Sequence, residues 1–358
     1  MANTANTANT ANTDNTDKAV RWGIAGLGNI AKRFATALNN SSKYGELYAV
    51  AARDLDRAEQ FSEAFKSNVS YGCYEDMARD PNVDAVYIAT IHPYHYPLVE
   101  LFLTHKKHVF VEKPAFTNLQ DWLTMKALAT RNGVLLLEAM KTVTFPAYQE
   151  LKHYLVKNNL QLTSIEASFG NEHQYDPELS IFNPNLSGGA TLDVGVYGLW
   201  LYCDLCKSLG ADVPEPAVDM STLVTQSCVD TDTCFTFTGQ INGKISASIV
   251  KNLPRVAILR GEQLVITIRD KWWNPYIIDV EFQGELFTIE HPATGNGFEF
   301  EIDHFSLLIL ENKTESDTLL PAITTQVQSI MEFGLINAGY GYLTQRGGSC
   351  SLNGKLKT

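Results

Sequence analysis

Val20-Arg21-Trp22-Gly23-Ile24-Ala25-Gly26-Leu27-Gly28-Asn29-Ile30-Ala31 is the stretch on which the fold turns. Its first half is an apolar run of strand length, its second half has G-x-G-x-x-A spacing, and helical periodicity continues over Ile30 to Leu38. Gly26 permits the tight turn and Gly28 lets backbone approach a pyrophosphate, while Ala31 allows close helix packing. The helix start offers free amides to an anion, so Gly26, Gly28, Asn29 and Ile30 are the candidate cradle of a dinucleotide.

Downstream, short β-like runs alternate with helical ones. Strands are predicted at Val20–Ala25, Leu47–Ala52, Ala85–Ala89, His108–Glu112 and Val134–Leu137, with helices at Leu55–Phe65 and Leu119–Arg131. Right-handed crossovers turn this order into an α/β domain, a doubly wound parallel Rossmann sheet with its crevice at the carboxyl ends of the strands. After a helix over Phe145–Lys157 the chain becomes strand-rich: Leu162–Phe169, Ser221–Thr225, Thr233–Thr238, Lys244–Val250, Arg255–Leu259 and Leu264–Ile268. Turns such as Asn242-Gly243 join them, with helices at Gly189–Leu205 and Ile323–Leu335, so an α+β C-terminal domain with a mostly antiparallel sheet is expected. The division is a tail at 1–18, a nucleotide-binding domain at 19–141, a substrate-binding and dimerisation domain at 142–346, and a tail at 347–358. The Ala-Asn-Thr and Asp-Asn-Thr repeats of the first tail have no apolar face to bury and predict disorder.

At the end of the second strand, where NAD-selective proteins place an acid for the ribose hydroxyls, the chain reads Ala52-Arg53-Asp54. Arg53 can fork onto a 2′-phosphate and stack on adenine, which favours NADP over NAD. The alternative is that Arg53 pairs with Asp54 or Asp56 at a helix start.

With 358 residues and 45% hydrophobic content, the chain has room for about two domains. Its net charge of -12 argues against a broad nucleic-acid or anionic-membrane surface. No apolar run reaches membrane-spanning length and the N-terminus lacks a secretory layout, so a cytoplasmic enzyme is expected. Six scattered cysteines do not form a disulfide framework, and Cys203-x-x-Cys206 sits in an apolar run where thiols pack as core.

Several stretches together resemble the glucose-fructose oxidoreductase, inositol dehydrogenase and rhizopine-catabolism family. They are Arg21-Trp22-Gly23-Ile24, Ala49-Val50-Ala51-Ala52-Arg53-Asp54, His92-Pro93-Tyr94-His95, Glu112-Lys113-Pro114 and Gly188-Gly189-Ala190-Thr191-Leu192-Asp193-Val194-Gly195-Val196-Tyr197. The pattern is similar to the branch of dimeric dihydrodiol dehydrogenases and NADP-dependent D-xylose dehydrogenases. The resemblance implies that Glu112 and Lys113 lie by the nicotinamide, with Lys113 beside the reacting hydroxyl. It implies that Tyr197 is the acid/base, and that His92, Pro93 and His95 form a loop flanking the cofactor. It also implies a homodimer or higher homo-oligomer.

Asp193 and Tyr197 are four apart in a helical segment and share a face, so Asp193 can orient Lys113 or the substrate. An ammonium near the phenol favours its ionised form. Two loop histidines without a third ligand do not make a zinc site, so no metal is expected.

One departure from the branch bears on substrate. Where dihydrodiol dehydrogenases read Trp-Thr-Arg after the last strand of the first sheet, this chain reads Lys141-Thr142-Val143. The change counts against an aromatic dihydrodiol and leaves Lys141 to meet a polar or anionic sugar derivative, with a helix-start lysine exposed to solvent as the alternative. Tyr175, Phe182, Trp272 and Trp273 are candidates for an aromatic wall against a sugar face, with core packing as the alternative. Glu301 and His304 match family positions without an assigned role. The expected activity is hydride transfer between NADP and a sugar-like alcohol or carbonyl. The alternatives are a trans-dihydrodiol dehydrogenase and a non-catalytic NADP-dependent sensor.

Overall fold

The computed structural model describes residues 19–223 and 227–346. Both expected tails, Cys350 and the last residues of the strand expected over Ser221–Thr225 lie outside them.

The first sheet is built from β1 (Val20–Ala25), β2 (Gly45–Ala51), β3 (Val69–Tyr71), β4 (Ala85–Ile88), β5 (His108–Glu112) and β6 (Leu136–Ala139). The order is β3-β2-β1-β4-β5-β6 and every pairing is parallel, which is the doubly wound arrangement. Its central strands are largely apolar because helices cover both faces. On one side lie α1 (Asn29–Asn40) and α2 (Leu55–Phe65), whose buried residues Phe34, Leu38 and Phe61 join the larger core. On the other lie α3 (Tyr74–Arg79), α4 (His95–Thr104) and α5 (Leu119–Asn132), closing a core around Met77, Phe102 and Trp122. Side chains fix two helix starts: Asp54 accepts from the amide of Asp56, and Asn118 from that of Asp121.

The chain leaves this sheet through the turn Lys141–Thr144 and α6 (Pro146–Lys157). It then forms an eight-stranded sheet: β7 (Leu162–Gly170), β8 (Ala217–Ser221), β9 (Asp232–Phe237), β10 (Asn242–Ser248), β11 (Ala257–Gly261), β12 (Leu264–Ile268), β13 (Ile277–Phe282) and β14 (Glu285–Glu290). The order is β14-β13-β12-β11-β7-β10-β9-β8, antiparallel except where β10 pairs with β7. The last hairpin closes on Gln283-Gly284, both at positive φ (54° and 85°), a two-residue turn whose twist suits antiparallel strands.

Three more helices complete the layers: α7 (Val196–Ser208), α8 (Phe298–Leu310) and α9 (Pro321–Asn337). Helix α7 lies on the inner face of the second sheet, very close to β10. A Cβ on Gly198 would come within 2.4 Å of Ile245 Cγ2. Helix α8 follows the second sheet in sequence yet packs on the first: the Phe305 ring lies 4.8 Å from that of Phe110 and 5.2 Å from Trp22. The Trp22 indole N–H donates to Ser306 Oγ (3.0 Å). Asp303 accepts from the amides of Lys43 and Tyr44 and from Ser42 Oγ, holding the loop between α1 and β2. The two sheets therefore share one continuous apolar core.

Gly198→Ala should force α7 off β10 and destabilise the protein by about 1–3 kcal/mol, as overpacking does. Urea unfolding reads this directly, and an unchanged midpoint would contradict the close packing.

Candidate active site

The crevice opens where β1 and β4 diverge. Gly26, at φ +91°, sits so near the end of β4 that a Cβ would meet Thr90 Cγ2 at 2.6 Å. At Gly28 a Cβ would have nothing within 4 Å, so this turn faces open space. Gly28 caps α1 without a side-chain hydrogen bond, and no acid occupies the helix's first turn. Asn29 and Ile30 begin the helix, leaving its first amides and positive dipole end aimed into the opening.

Arg53 follows β2 and pairs with neither Asp54 nor Asp56. Its guanidinium lies over the Tyr94 ring (5.1 Å) and donates to the Tyr94 hydroxyl (3.3 Å). Arg57, one turn into α2, donates to the carbonyl of Leu27 inside the glycine turn (3.0 Å). Tyr74 lies within electrostatic range of both arginines. Arg57 and Tyr94 were not legible from sequence: they come from a helix and a loop that only the fold brings beside Arg53.

His92 and Pro93 form a short turn before α4. His92 Nδ1 is 2.9 Å from the carbonyl of Ser187, tying this loop to the segment ahead of α7. Burial, then His95 and Lys113, push the His92 imidazole down to about 3, so it is neutral. His95 is fully buried: its Nδ1 faces the carbonyls of Pro114 and Ala115 (3.1 Å each) and its Nε2 that of Thr90 (3.0 Å). It staples the loop after β4 to the loop after β5.

Lys113 stands at the end of β5. Its ammonium donates to the backbone carbonyl of Asp193 (2.6 Å), approaches Asp193 Oδ1 (3.3 Å), and lies 5.1 Å from the centre of the Tyr197 ring. Burial alone would lower its pKa, but Tyr197, Asp193 and Glu112 outweigh that and hold it above the ordinary lysine value. The expected effect of Lys113 on Tyr197 is present in sign but is outweighed. Burial pushes the phenol up to about 12 against the pull of Lys113, so Tyr197 is a neutral phenol at pH 7. Glu112 accepts from the Tyr87 hydroxyl, and burial raises its carboxyl.

Asp193 belongs to a π-helical turn, Thr191–Gly195, entered at Gly189 and continuous with α7. The amide of Val196 reaches back to Thr191 O, one residue further than an α-helix would. Gly195 leaves the turn close to β10, where an added Cβ would meet Ala247 Cβ at 3.5 Å.

Lys141 is 7% exposed, its Nζ is 5.0 Å from the Phe298 ring, and the Arg33 guanidinium lies 5.3 Å from the same ring. Burial first, then Arg33, lower the Lys141 pKa to about 8, while Glu301 and Glu112 pull it up. The helix-start lysine exposed to solvent that the sequence also allowed is not what the structure shows. Glu301, on α8, is buried beside it with Oε2 unpartnered among the described residues, and burial raises its carboxyl well above the usual range. His304 instead meets Ser316 Oγ (2.7 Å).

Of the aromatic candidates, Trp272 is a correction: it is fully buried and its indole N–H donates to the carbonyl of Ser168 (2.7 Å), so it is core and presents no wall to a ligand. Its neighbour Trp273 stacks on Phe169 (3.6 Å), and Phe169 in turn packs against Tyr197 (5.5 Å). Tyr175 packs edge-on to the buried Phe182 (5.2 Å) in the segment ahead of Gly188.

A parallel sheet in 3-2-1-4-5-6 order with a glycine cradle, and a lysine and tyrosine meeting above its carboxyl edge, define a nucleotide-dependent oxidoreductase. The profile of the GFO_IDH_MocA group, described as an oxidoreductase family with NAD-binding Rossmann fold, matches residues 20–140. The chain is 35% identical over 285 residues to trans-1,2-dihydrobenzene-1,2-diol dehydrogenase of Mus musculus, covering 79% of this chain and 83% of that one. The Xenopus tropicalis protein of the same name is 29% identical over 334 residues, covering 90% and 99%. The chain belongs to the glucose-fructose oxidoreductase, inositol dehydrogenase and rhizopine-catabolism family, and is an oxidoreductase.

Two solved structures show the same fold. A 3-ketoreductase from Actinomadura kijaniata, in complex with NADP and TDP-benzene, aligns with TM-score 0.76 at 22% identity over 88% of this chain and 96% of that one. A levoglucosan dehydrogenase, in complex with NADH and levoglucosan, aligns with TM-score 0.78 at 16% identity over 90% and 97%. No helix among the described residues is long and apolar enough to cross a membrane.

Lys141 gives a signed pH effect. Its folded pKa lies below the unfolded value, so the unfolded chain binds more protons between about pH 8 and 10.5, and Lys141 adds stability as pH rises through that window. Lys141→Met should abolish this component. Denaturant unfolding of both proteins at pH 7 and 9.5 measures it, and an identical pH slope would contradict the buried placement.

Proposed function

We propose that this oxidoreductase uses NADP and transfers a hydride between the nicotinamide and a sugar or sugar-like alcohol or carbonyl. The observation that carries the reading is the meeting of the Lys113 ammonium, the Asp193 carbonyl and the Tyr197 ring at the carboxyl edge of the sheet that bears the glycine cradle. The residues fit a dinucleotide: Gly28 faces open space and α1 starts without a side-chain cap, as a pyrophosphate requires. Arg53, seconded by Arg57 and backed by Tyr94, suits a 2′-phosphate better than a bare ribose, which favours NADP over NAD. His92, Pro93 and Glu112 line the cofactor side of the crevice, whereas His95, expected there from the sequence, is fully buried with both ring nitrogens on backbone carbonyls and braces the loop from behind. Residues 19–141 form the nucleotide-binding unit and 142–346 the substrate-binding unit, with α8 returning to brace the first.

When bound, the nicotinamide supplies or takes the hydride. The chain handles the proton and the charge. Tyr197, kept neutral by burial, donates its hydroxyl proton to the substrate oxygen in the reducing direction and recovers it from solvent. Lys113 stays an ammonium and stabilises the negative charge that develops on that oxygen. Asp193 orients Lys113. Lys141 and Tyr175 contribute to the substrate side, and the buried charge at Lys141 suits a polar sugar.

A second reading, oxidation of a trans-dihydrodiol, is favoured by the names of the curated relatives and by the aromatic ladder Trp273–Phe169–Tyr197. The chain also works as a cytoplasmic homo-oligomer. The outer face of the second sheet supports the assembly, because Ser168, Lys244, Ser246 and Ile258 give it a mixed polar and apolar surface there.

NADPH absorbance during a screen of aldoses, keto sugars, inositols and diols tests the function. Turnover on sugars alone is expected, turnover on dihydrodiols alone would install the second reading, and nucleotide binding without any turnover would overturn both. Lys113→Met should lower kcat by roughly 10²–10³-fold, the usual loss of a positioned charge, with NADPH affinity kept. Arg53→Ala should weaken NADP but not NAD, so equal losses for the two would contradict a 2′-phosphate site.

A further inference from the structure

We propose that Asp230 is a positioning residue for the reaction, holding the start of the Thr191–Gly195 turn so that the carbonyl of Asp193 meets the ammonium of Lys113. The proposal rests on the reading of Lys113 given above, and its second readout is independent of that reading.

Asp230 lies in the loop between β8 and β9 and is fully buried. One carboxylate oxygen, Oδ2, accepts from the amide of Thr191 (2.8 Å) and from its hydroxyl (2.6 Å). The backbone carbonyl of Asp230 accepts from the amide of Ala190 (2.7 Å). One residue thus fastens two successive amides at the entrance of the turn, where helical geometry leaves them without partners. The glycine pair ahead of the turn is shaped to this clamp. Gly189 has φ +118°, and a Cβ there would strike Asp230 Oδ1 at 2.1 Å. A Cβ on Gly188 would strike the carbonyls of Ser180 and Ile181 at 2.5 and 2.6 Å.

The clamp matters to chemistry through two residues of chain. Thr191 is fixed by Asp230, and Asp193 presents the carbonyl that Lys113 binds at 2.6 Å. An acceptor displaced by an ångström would leave a buried ammonium poorly satisfied. The Oδ1 atom has no partner among the described residues. Burial pushes the carboxyl up to about 7 while the Thr191 donors hold it down, and Tyr340, in the turn after α9, is the titratable group within electrostatic range. An asparagine keeps the acceptor oxygen and the size, so Asp230→Asn should preserve the clamp, whereas alanine removes it.

The test compares wild type, D230A and D230N in the full-length protein, with folding checked by circular dichroism and thermal melting. D230A should lose roughly 10–100-fold in kcat, as expected for small misplacements of a reacting group, with the KM for NADPH unchanged. D230N should restore kcat. The independent readout is the titration of Lys113 followed by NMR of ¹³C-labelled lysine, assigned with K113M. D230A should bring the Lys113 pKa down, and D230N should return it. If D230A does not fold, T191V, which keeps the amide and loses the 2.6 Å hydroxyl contact, should move kcat and the Lys113 titration the same way. A folded D230A, or T191V in its place, with wild-type kcat and wild-type Lys113 titration would overturn the proposal. A normal kcat with a shifted lysine would overturn the catalytic reading of Lys113 and leave the clamp standing.

Discussion

A buried ammonium must be answered, and the contact between Lys113 and the carbonyl of Asp193 is the answer on which the rest of the molecule is built. Lys113 comes from the carboxyl edge of the parallel sheet and Asp193 from the layer on the second sheet, so this hydrogen bond joins the two halves across the crevice. The carbonyl belongs to a segment wound as a π-turn rather than a plain helix. The helix that continues the turn packs tightly on β10, which Gly198 permits, and the turn is entered at positive φ, which Gly189 permits.

Around that contact the charges are arranged in depth. Glu112, buried and bonded to Tyr87, faces Lys113 from its own strand, and Glu301 faces Lys141 from α8. The effect on proton chemistry is differential. Lys113, with an acid and a carbonyl in reach, is kept charged, while Lys141, which shares the Phe298 ring with Arg33, is drawn towards neutrality. Two lysines in one crevice thus take different roles from their neighbours alone. Tyr197 is kept a phenol by burial, which suits it to give a proton more than to take one.

The first sheet was legible in sequence because strands buried on both faces read as apolar runs and because Gly26-Leu27-Gly28 falls between a strand and a helix. Strand β3 was not, being three residues long, and neither was the hairpin β13–β14, whose last strand is almost wholly exposed and carries no buried stripe. Helix α8 was missed for a different reason. Its residues Phe298, Ile302 and Phe305 mark a buried face, but nothing local says that the face belongs to β1 and α1, more than 250 residues upstream. At the site, Lys113, Asp193 and Tyr197 stood out through stretches similar to a known family, and the fold brings them together. Arg57, Tyr94, Phe169 and Asp230 act only by being beside something distant in sequence. Trp272 and Trp273 show the limit sharply: adjacent residues point apart, and only coordinates say that 273 stacks towards Tyr197 while 272 is core.

The most direct measurement is a crystal structure of the protein grown with NADP and a sugar that supports turnover. The nicotinamide C4 should lie beside Lys113 Nζ and Tyr197 Oη with a substrate oxygen in reach of both, and the 2′-phosphate on Arg53. A nucleotide bound in the cradle with its nicotinamide directed away from Lys113, or a substrate oxygen contacting neither side chain, would contradict the mechanism even with the fold intact.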